Sequence, residues 1–189
     1  MSVTRKSRSQ THVALLRGVN VGGKNRLPMK DLAAIFADAG CRSVTTYIQS
    51  GNAIFDAPAV VARGLPAAIS RRIERRFGIR VPVVMRTAAE LGAVTRNNPF
   101  VAAGADPSLL HVAFLADLPA SRDIAVLDPD RSPPDELSVD GREIYLRLPN
   151  GVAKTKFSNA YFDAKLRTTS TWRSWRTVLE LHALATGRG

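Results

Sequence analysis

The sequence predicts an α+β protein of two similar lobes, on three observations. Each half opens on a short apolar strand, HVALL at residues 12–16 and HVAFL at 111–115, identical at four of five positions. In both halves the pattern then runs helix, hairpin, helix. No low-complexity or Gly/Ser-rich linker separates the halves, so the two lobes are expected to pack as one unit.

The elements follow in order. Residues 12–16 end at Arg17-Gly18, as a short buried strand does. Pro28 suits a first helical turn, after which Leu32, Ile35, Phe36 and Ala39 recur at helical spacing up to a stop at Gly40. Residues 43–49 (SVTTYIQ) alternate, and 52–55 resume as a strand after Ser50-Gly51, giving a hairpin. A helix over 67–77 turns Ile69, Ile73 and Phe77 inward and Arg71, Arg72, Arg75 and Arg76 outward, and RVPVVMR (80–86) returns as a strand. The order β-α-β-β-α-β is the split βαβ, or ferredoxin-like, pattern. After a connector at 87–107, the second half gives helix 121–127, a hairpin turning at Asp140-Gly141, helix 157–166 and a last helix over 172–185. The expected organisation is a disordered basic tail (1–10), a first lobe (11–86), the connector, and a related lobe with a terminal helix (108–189).

Composition narrows the function classes. The chain has 189 residues, 45% hydrophobic and 23% charged, ordinary values for a globular protein. No apolar run reaches membrane-span length, and MSVTRKSRSQ has no apolar core for a secretory signal, so no membrane partner is expected. The single cysteine, Cys41, excludes an internal disulfide and suits a reducing, cytoplasmic setting. A net charge of +11 attracts polyanions without sequence preference. Arginine excess also follows from compositional bias, so charge alone keeps weak nucleic-acid binding open.

The segment RGVNVGGKN (17–25), lying between a strand and a helix, is where phosphate is often held. Gly18 through Lys24 fit G-x-x-x-x-G-K, but Asn25 stands where a P-loop needs a hydroxyl for magnesium. Pro28 offers no amide at the helix start, which argues against a nucleoside triphosphatase. What remains is a milder anion site. Gly18, Gly22 and Gly23 let the backbone turn its amides inward, Arg17, Lys24 and Arg26 supply charge, and Asn20 and Asn25 supply hydrogen bonds. On the residues alone, tight turns with solvated cations are the favoured explanation, because glycine's permissive backbone serves turns far more often than ligands. Topology adds weight: in a split βαβ unit, this loop opens at the same sheet edge as Gln49-Ser50-Gly51-Asn52, whose amides would read the group attached to the anion.

Elsewhere, Asn150-Gly151 with Lys154 and Lys156 reads as a turn or a second basic lip. Trp172 and Trp175, with Arg173 and Arg176, read as a packed stripe more readily than a base-stacking platform. His12 and His111 form no metal-ligand spacing, and no catalytic triad, metal cluster or cofactor fingerprint is present.

The stretches ALLRGVNVGGKNRLPMKDL, TYIQSGNAIF, IYLRLPNGVAKTKFSNAYFDAKL and TWRSWRTVLELHALA resemble the bacterial family of domain of unknown function 1697. That resemblance spans residues 11–185 and implies two similar, intertwined lobes related by a pseudo-dyad. It implies no activity, and it points to the same loop, the QSGN turn and the PNG segment. The residues favour a binding protein for a phosphorylated metabolite or nucleotide at the 17–25 and 49–52 rim. The alternatives are a hydrolase or transferase using Ser50 or Lys24 there, and sequence-independent nucleic-acid binding by the arginine-rich helix.

Overall fold

The computed structural model describes residues 9–188. The chain is mixed α+β, with two four-stranded antiparallel sheets, and divides into two compact units. Among the described residues, unit 1 comprises 9–89 and 183–188, and unit 2 comprises 90–182.

In unit 1 the order is β1 (Ser9–Leu16), α1 (Met29–Asp38), β2 (Arg42–Tyr47), β3 (Asn52–Pro58), α2 (Ala59–Ala62), α3 (Leu65–Phe77) and β4 (Val83–Thr87). The strands lie in the order β2-β3-β1-β4. Every neighbouring pair is antiparallel, so β1 and β2, flanking β3, run parallel to each other. The loop after β1 and the β2–β3 turn therefore open at one end of the sheet. Period-two alternation on β1 and β3 sends Ala14, Leu16, Ala53 and Phe55 to one face, where Leu32 and Phe36 of α1 and Ile69 and Ile73 of α3 cover them. The Phe36 and Phe55 ring centroids are 4.8 Å apart. Burial of each of the leucine, isoleucine and phenylalanine side chains contributes about 1.5–3 kcal/mol.

The chain continues with α4 (Ala88–Arg96), which starts at the end of unit 1, then in unit 2 α5 (Pro99–Ala102), β5 (Leu110–Leu115), α6 (Ser121–Ile124), β6 (Glu136–Asp140), β7 (Glu143–Arg147), α7 (Asn159–Leu166) and β8 (Ser170–Ser174), and ends with α8 (Trp175–Thr186), whose last turn from Ala183 is counted in unit 1. Its strand order is β6-β7-β5-β8, again antiparallel throughout. Ala113, Leu115, Ile144 and Leu146 pack against Phe157, Phe162 and Leu166.

Several expectations change. Of the tail placed at 1–10, residues 1–8 lie outside the described residues. Ser9 and Gln10 are strand, paired with Pro58 and Ala57, because β3 extends far enough to offer them partners. The connector is not a plain link: residues 88–96 form α4, whose Leu91, Gly92 and Val94 are buried. The last helix begins at Trp175, since Thr171, Trp172 and Arg173 pair with Phe114, Ala113 and Val112 as strand β8. A Ser/Thr/Trp stretch beside an open β5 edge favours the ladder over the helix.

Candidate functional site

The rim is built where β1 leaves the sheet. The Leu16 amide donates to the Gly51 carbonyl at 2.8 Å and the Arg17 amide to Pro82 at 3.0 Å, and beyond them the chain rises into a loop that ends at Pro28. Its backbone has positive φ at Gly18 (71°), Asn20 (55°), Gly22 (56°), Gly23 (75°) and Asn25 (51°). Two consecutive positive-φ glycines between Val21 and Lys24, closed by Lys24 N–H to Val21 O at 3.0 Å, form a tight hairpin tip. A second rung, Asn20 N–H to Asn25 O at 3.1 Å, completes a miniature hairpin standing on the sheet edge.

Side chains brace that hairpin from behind. Asn20 Oδ1 accepts from the Leu27 amide at 2.9 Å, while its Nδ2 donates to Leu27 O at 2.9 Å and to Gln49 O at 2.8 Å. Asn25 Nδ2 donates to Gly18 O at 2.8 Å. Val19 and Leu27 are buried and anchor the loop in the unit 1 core. Gly51 sits so close beneath it that an added Cβ would overlap Val19 Cγ2 and lie 2.8 Å from Leu16 Cβ.

The two segments expected to converge are thus joined by hydrogen bonds, but their side chains divide into two roles. Asn52 is 0% exposed, and its Nδ2 donates to Tyr47 O at 3.1 Å and Ser50 Oγ at 2.9 Å, so it faces the hairpin rather than the rim. Asn20 has both amide protons committed. Gly22, Gly23, Lys24, Arg26 and Gln49 are exposed, and Arg17 is half-buried. Among the described residues, neither the Lys24 nor the Arg26 side chain makes an ion pair or hydrogen bond. Sequence reasoning missed Ile48, a β-branched residue with φ of 48° that is 49% exposed in the same turn. A β-branched residue in that region stores strain, and such strain is found where the surrounding structure holds a site in shape.

The other candidates resolve as framework. Burial pushes the Cys41 thiol up to about 11, which keeps it protonated. Trp172 packs against Phe162 with ring centroids 5.8 Å apart and planes tilted by 38°, and Trp175 is buried at the start of α8. Arg173 is buried, donating to Trp172 O at 2.6 Å and Thr171 Oγ1 at 3.0 Å, and burial lowers its pKa to about 10. Asn150-Gly151 is a turn, with Gly151 N–H on Leu148 O at 3.0 Å, and Lys154 and Lys156 are exposed. Among the described residues, no group of three or more His, Cys, Asp or Glu could hold a metal ion, and no helix is long and apolar enough to cross a membrane.

Comparison with known proteins returned no curated match. Among solved structures, the conserved bacterial protein SP0830 from Streptococcus pneumoniae is similar in fold. It has a TM-score of 0.70 at 19% sequence identity, over 94% of this chain and 99% of that one. The model of a family described as protein of unknown function, DUF1697, matches residues 9–145. That match covers most of the chain, including β1, the rim loop and the QSGN turn, and the chain belongs to the DUF1697 family.

Proposed function

We propose that this is a binding protein for an anionic ligand, a phosphorylated metabolite or nucleotide, held at the rim of residues 17–26 and 49–52. One observation carries the reading. The polar side chains behind the loop are committed to bracing it, while the Gly22-Gly23 tip and the Lys24 and Arg26 cations are left to solvent. Alternating φ sign along residues 18–22 is a backbone pattern that turns successive amides toward one side, as anion-binding concavities require. In this reading the tip amides hold the oxyanion, Lys24 and Arg26 neutralise it, and Gln49 contacts the attached group. Asn20, Asn25 and Asn52 preorganise the site, which lowers the ordering cost of binding. The setting is the cytoplasm, which suits a buried, protonated Cys41.

The same reading takes the two sheets as copies of one ferredoxin-like unit. It is supported by the shared strand order and by a buried arginine at the matching position of each last strand. Arg86 lies opposite Val13 and Arg173 opposite Val112, and each donates Nη1 to the carbonyl of the residue before it, Met85 at 2.7 Å and Trp172 at 2.6 Å.

A thermal-shift panel of inorganic phosphate, pyrophosphate, sugar phosphates and nucleotides tests the binding. A ligand at a hundredfold excess over its Kd stabilises by about 2.7 kcal/mol. Stabilisation of wild type that is lost in Lys24→Ala and Arg26→Ala is the expected result. A flat panel for wild type, or identical shifts in both variants, would leave the loop as a turn only.

A further inference from the structure

Helix α3 carries Arg71, Arg72, Arg75 and Arg76, which the sequence reads as one outward face. The structure divides them. Arg72, Arg75 and Arg76 meet Ile35 and Asp38 of α1 around a concavity of about 250 Å³, and Arg71 is not part of its lining. The neighbouring acids are already engaged: Asp31 pairs with Arg76, and Glu74 pairs with Arg80 at 2.8 Å. Among the described residues, Arg72, Arg75 and Asp38 make no ion pair or hydrogen bond. Arg76 is further steadied over the Phe77 ring, 5.4 Å from its centroid.

We infer that this α1–α3 cleft binds a small phosphate ester with a hydroxyl beside its phosphate, a site separate from the rim. Guanidinium forks match phosphate oxygens in pairs, and Arg72 and Arg75 are unengaged forks on successive turns of one helix face. Asp38 sets the selectivity. A bare oxyanion meets a like charge there, whereas a ligand hydroxyl donates a hydrogen bond to the carboxylate, so Asp38 disfavours inorganic phosphate and favours the ester. Ile35, 4% exposed, offers an apolar floor for the carbon skeleton. A volume of about 250 Å³ equals that of about eight liquid waters at about 30 Å³ each, suited to one phosphorylated pentose. The same chemistry is presented by a free sugar phosphate and by one ribose-phosphate unit of RNA.

Calorimetric titration of the full chain with ribose 5-phosphate, inorganic phosphate and a short single-stranded RNA tests the site. Saturable binding of ribose 5-phosphate or RNA is expected, weakened about tenfold or more by Arg72→Ala and by Arg75→Ala, each measured in a Lys24→Ala background so that the rim contributes nothing. Asp38→Asn should narrow the preference for ribose 5-phosphate over inorganic phosphate. If RNA binds tighter than ribose 5-phosphate with the same dependence on the arginines, the ligand is the polymer backbone; the reverse order makes it a free sugar phosphate. These arginines are exposed or half-exposed, so unchanged melting temperatures will show that the variants fold, and Arg75→Glu provides a stronger charge test at an exposed position. Absence of saturation by both probes in wild type, or affinities insensitive to all three arginine variants, overturns the inference.

Discussion

The two units are alike up to one residue and then part. In unit 1 the last residue of β1 donates its amide from Leu16 to Gly51 at 2.8 Å; in unit 2 Leu115 donates to Arg142, also at 2.8 Å. The next amides match as well, Arg17 on Pro82 at 3.0 Å and Ala116 on Thr169 at 2.8 Å. Beyond that point unit 1 spends residues 17–28 reaching its helix, with five positive-φ positions, while unit 2 spends only 116–120, with none. The adjoining hairpin turns differ in the same way, 48–51 against 141–142. A sheet needs no more than the short version of either connection. The longer version in unit 1 is elaboration at one edge, and it coincides with the unengaged cations and the strained Ile48. Function is therefore sought where the two units differ.

The largest effect should come from Gly51→Ala. Positive φ (76°) and overlap with Val19 and Leu16 together cost about 3 kcal/mol, whereas Gly141→Ala in the other hairpin, with only Glu143 Oε2 at 3.9 Å, costs about 1 kcal/mol. Urea unfolding of both variants makes this comparison, and equal costs would break it. Next is Asn20→Ala, which strands the amide of fully buried Leu27 and releases the Gln49 turn, for about 2 kcal/mol. Hydrogen exchange should then rise in residues 17–28 while 116–120 stay unchanged.

Acid should weaken unit 2 through His111. Burial lowers its pKa in the folded state below the usual 6.5, so the unfolded chain takes up the proton first. Its contribution is complete above pH 6.5 and declines as the pH falls below it. Melting temperatures at pH 7 and pH 5 should therefore differ less in His111→Gln than in wild type. The smallest effect belongs to Asp31→Asn, which removes an exposed ion pair with Arg76 and should change stability by about 0.5 kcal/mol or less, with the difference shrinking in high salt.

Much of the architecture could be read from periodicity. Ala14 and Leu16 on β1, Leu32 and Phe36 on α1, and Ile69 and Ile73 on α3 all occupy the core their spacing implied. Strand β8 was hidden because TWRSW fits a short strand and a helix start equally well, and pairing with β5 decides between them. Helix α4 was missed because its apolar face is thin, only Leu91, Gly92 and Val94. At the rim, position was legible and role was not. Asn20, Asn25 and Asn52 look alike in sequence to a ligand-reading amide, and only their hydrogen-bond partners reveal them as braces.

By the proposed function, the elaborated edge of unit 1 binds an oxyanion that the plain edge of unit 2 does not. Amide chemical shifts recorded during titration with pyrophosphate test it most directly. Saturable shifts are expected at Gly22, Gly23, Lys24 and Gln49, with residues 116–120 and 141–142 unmoved, and loss of those shifts in Lys24→Ala. Shifts equal at both edges, or none at the rim up to millimolar pyrophosphate, would contradict it.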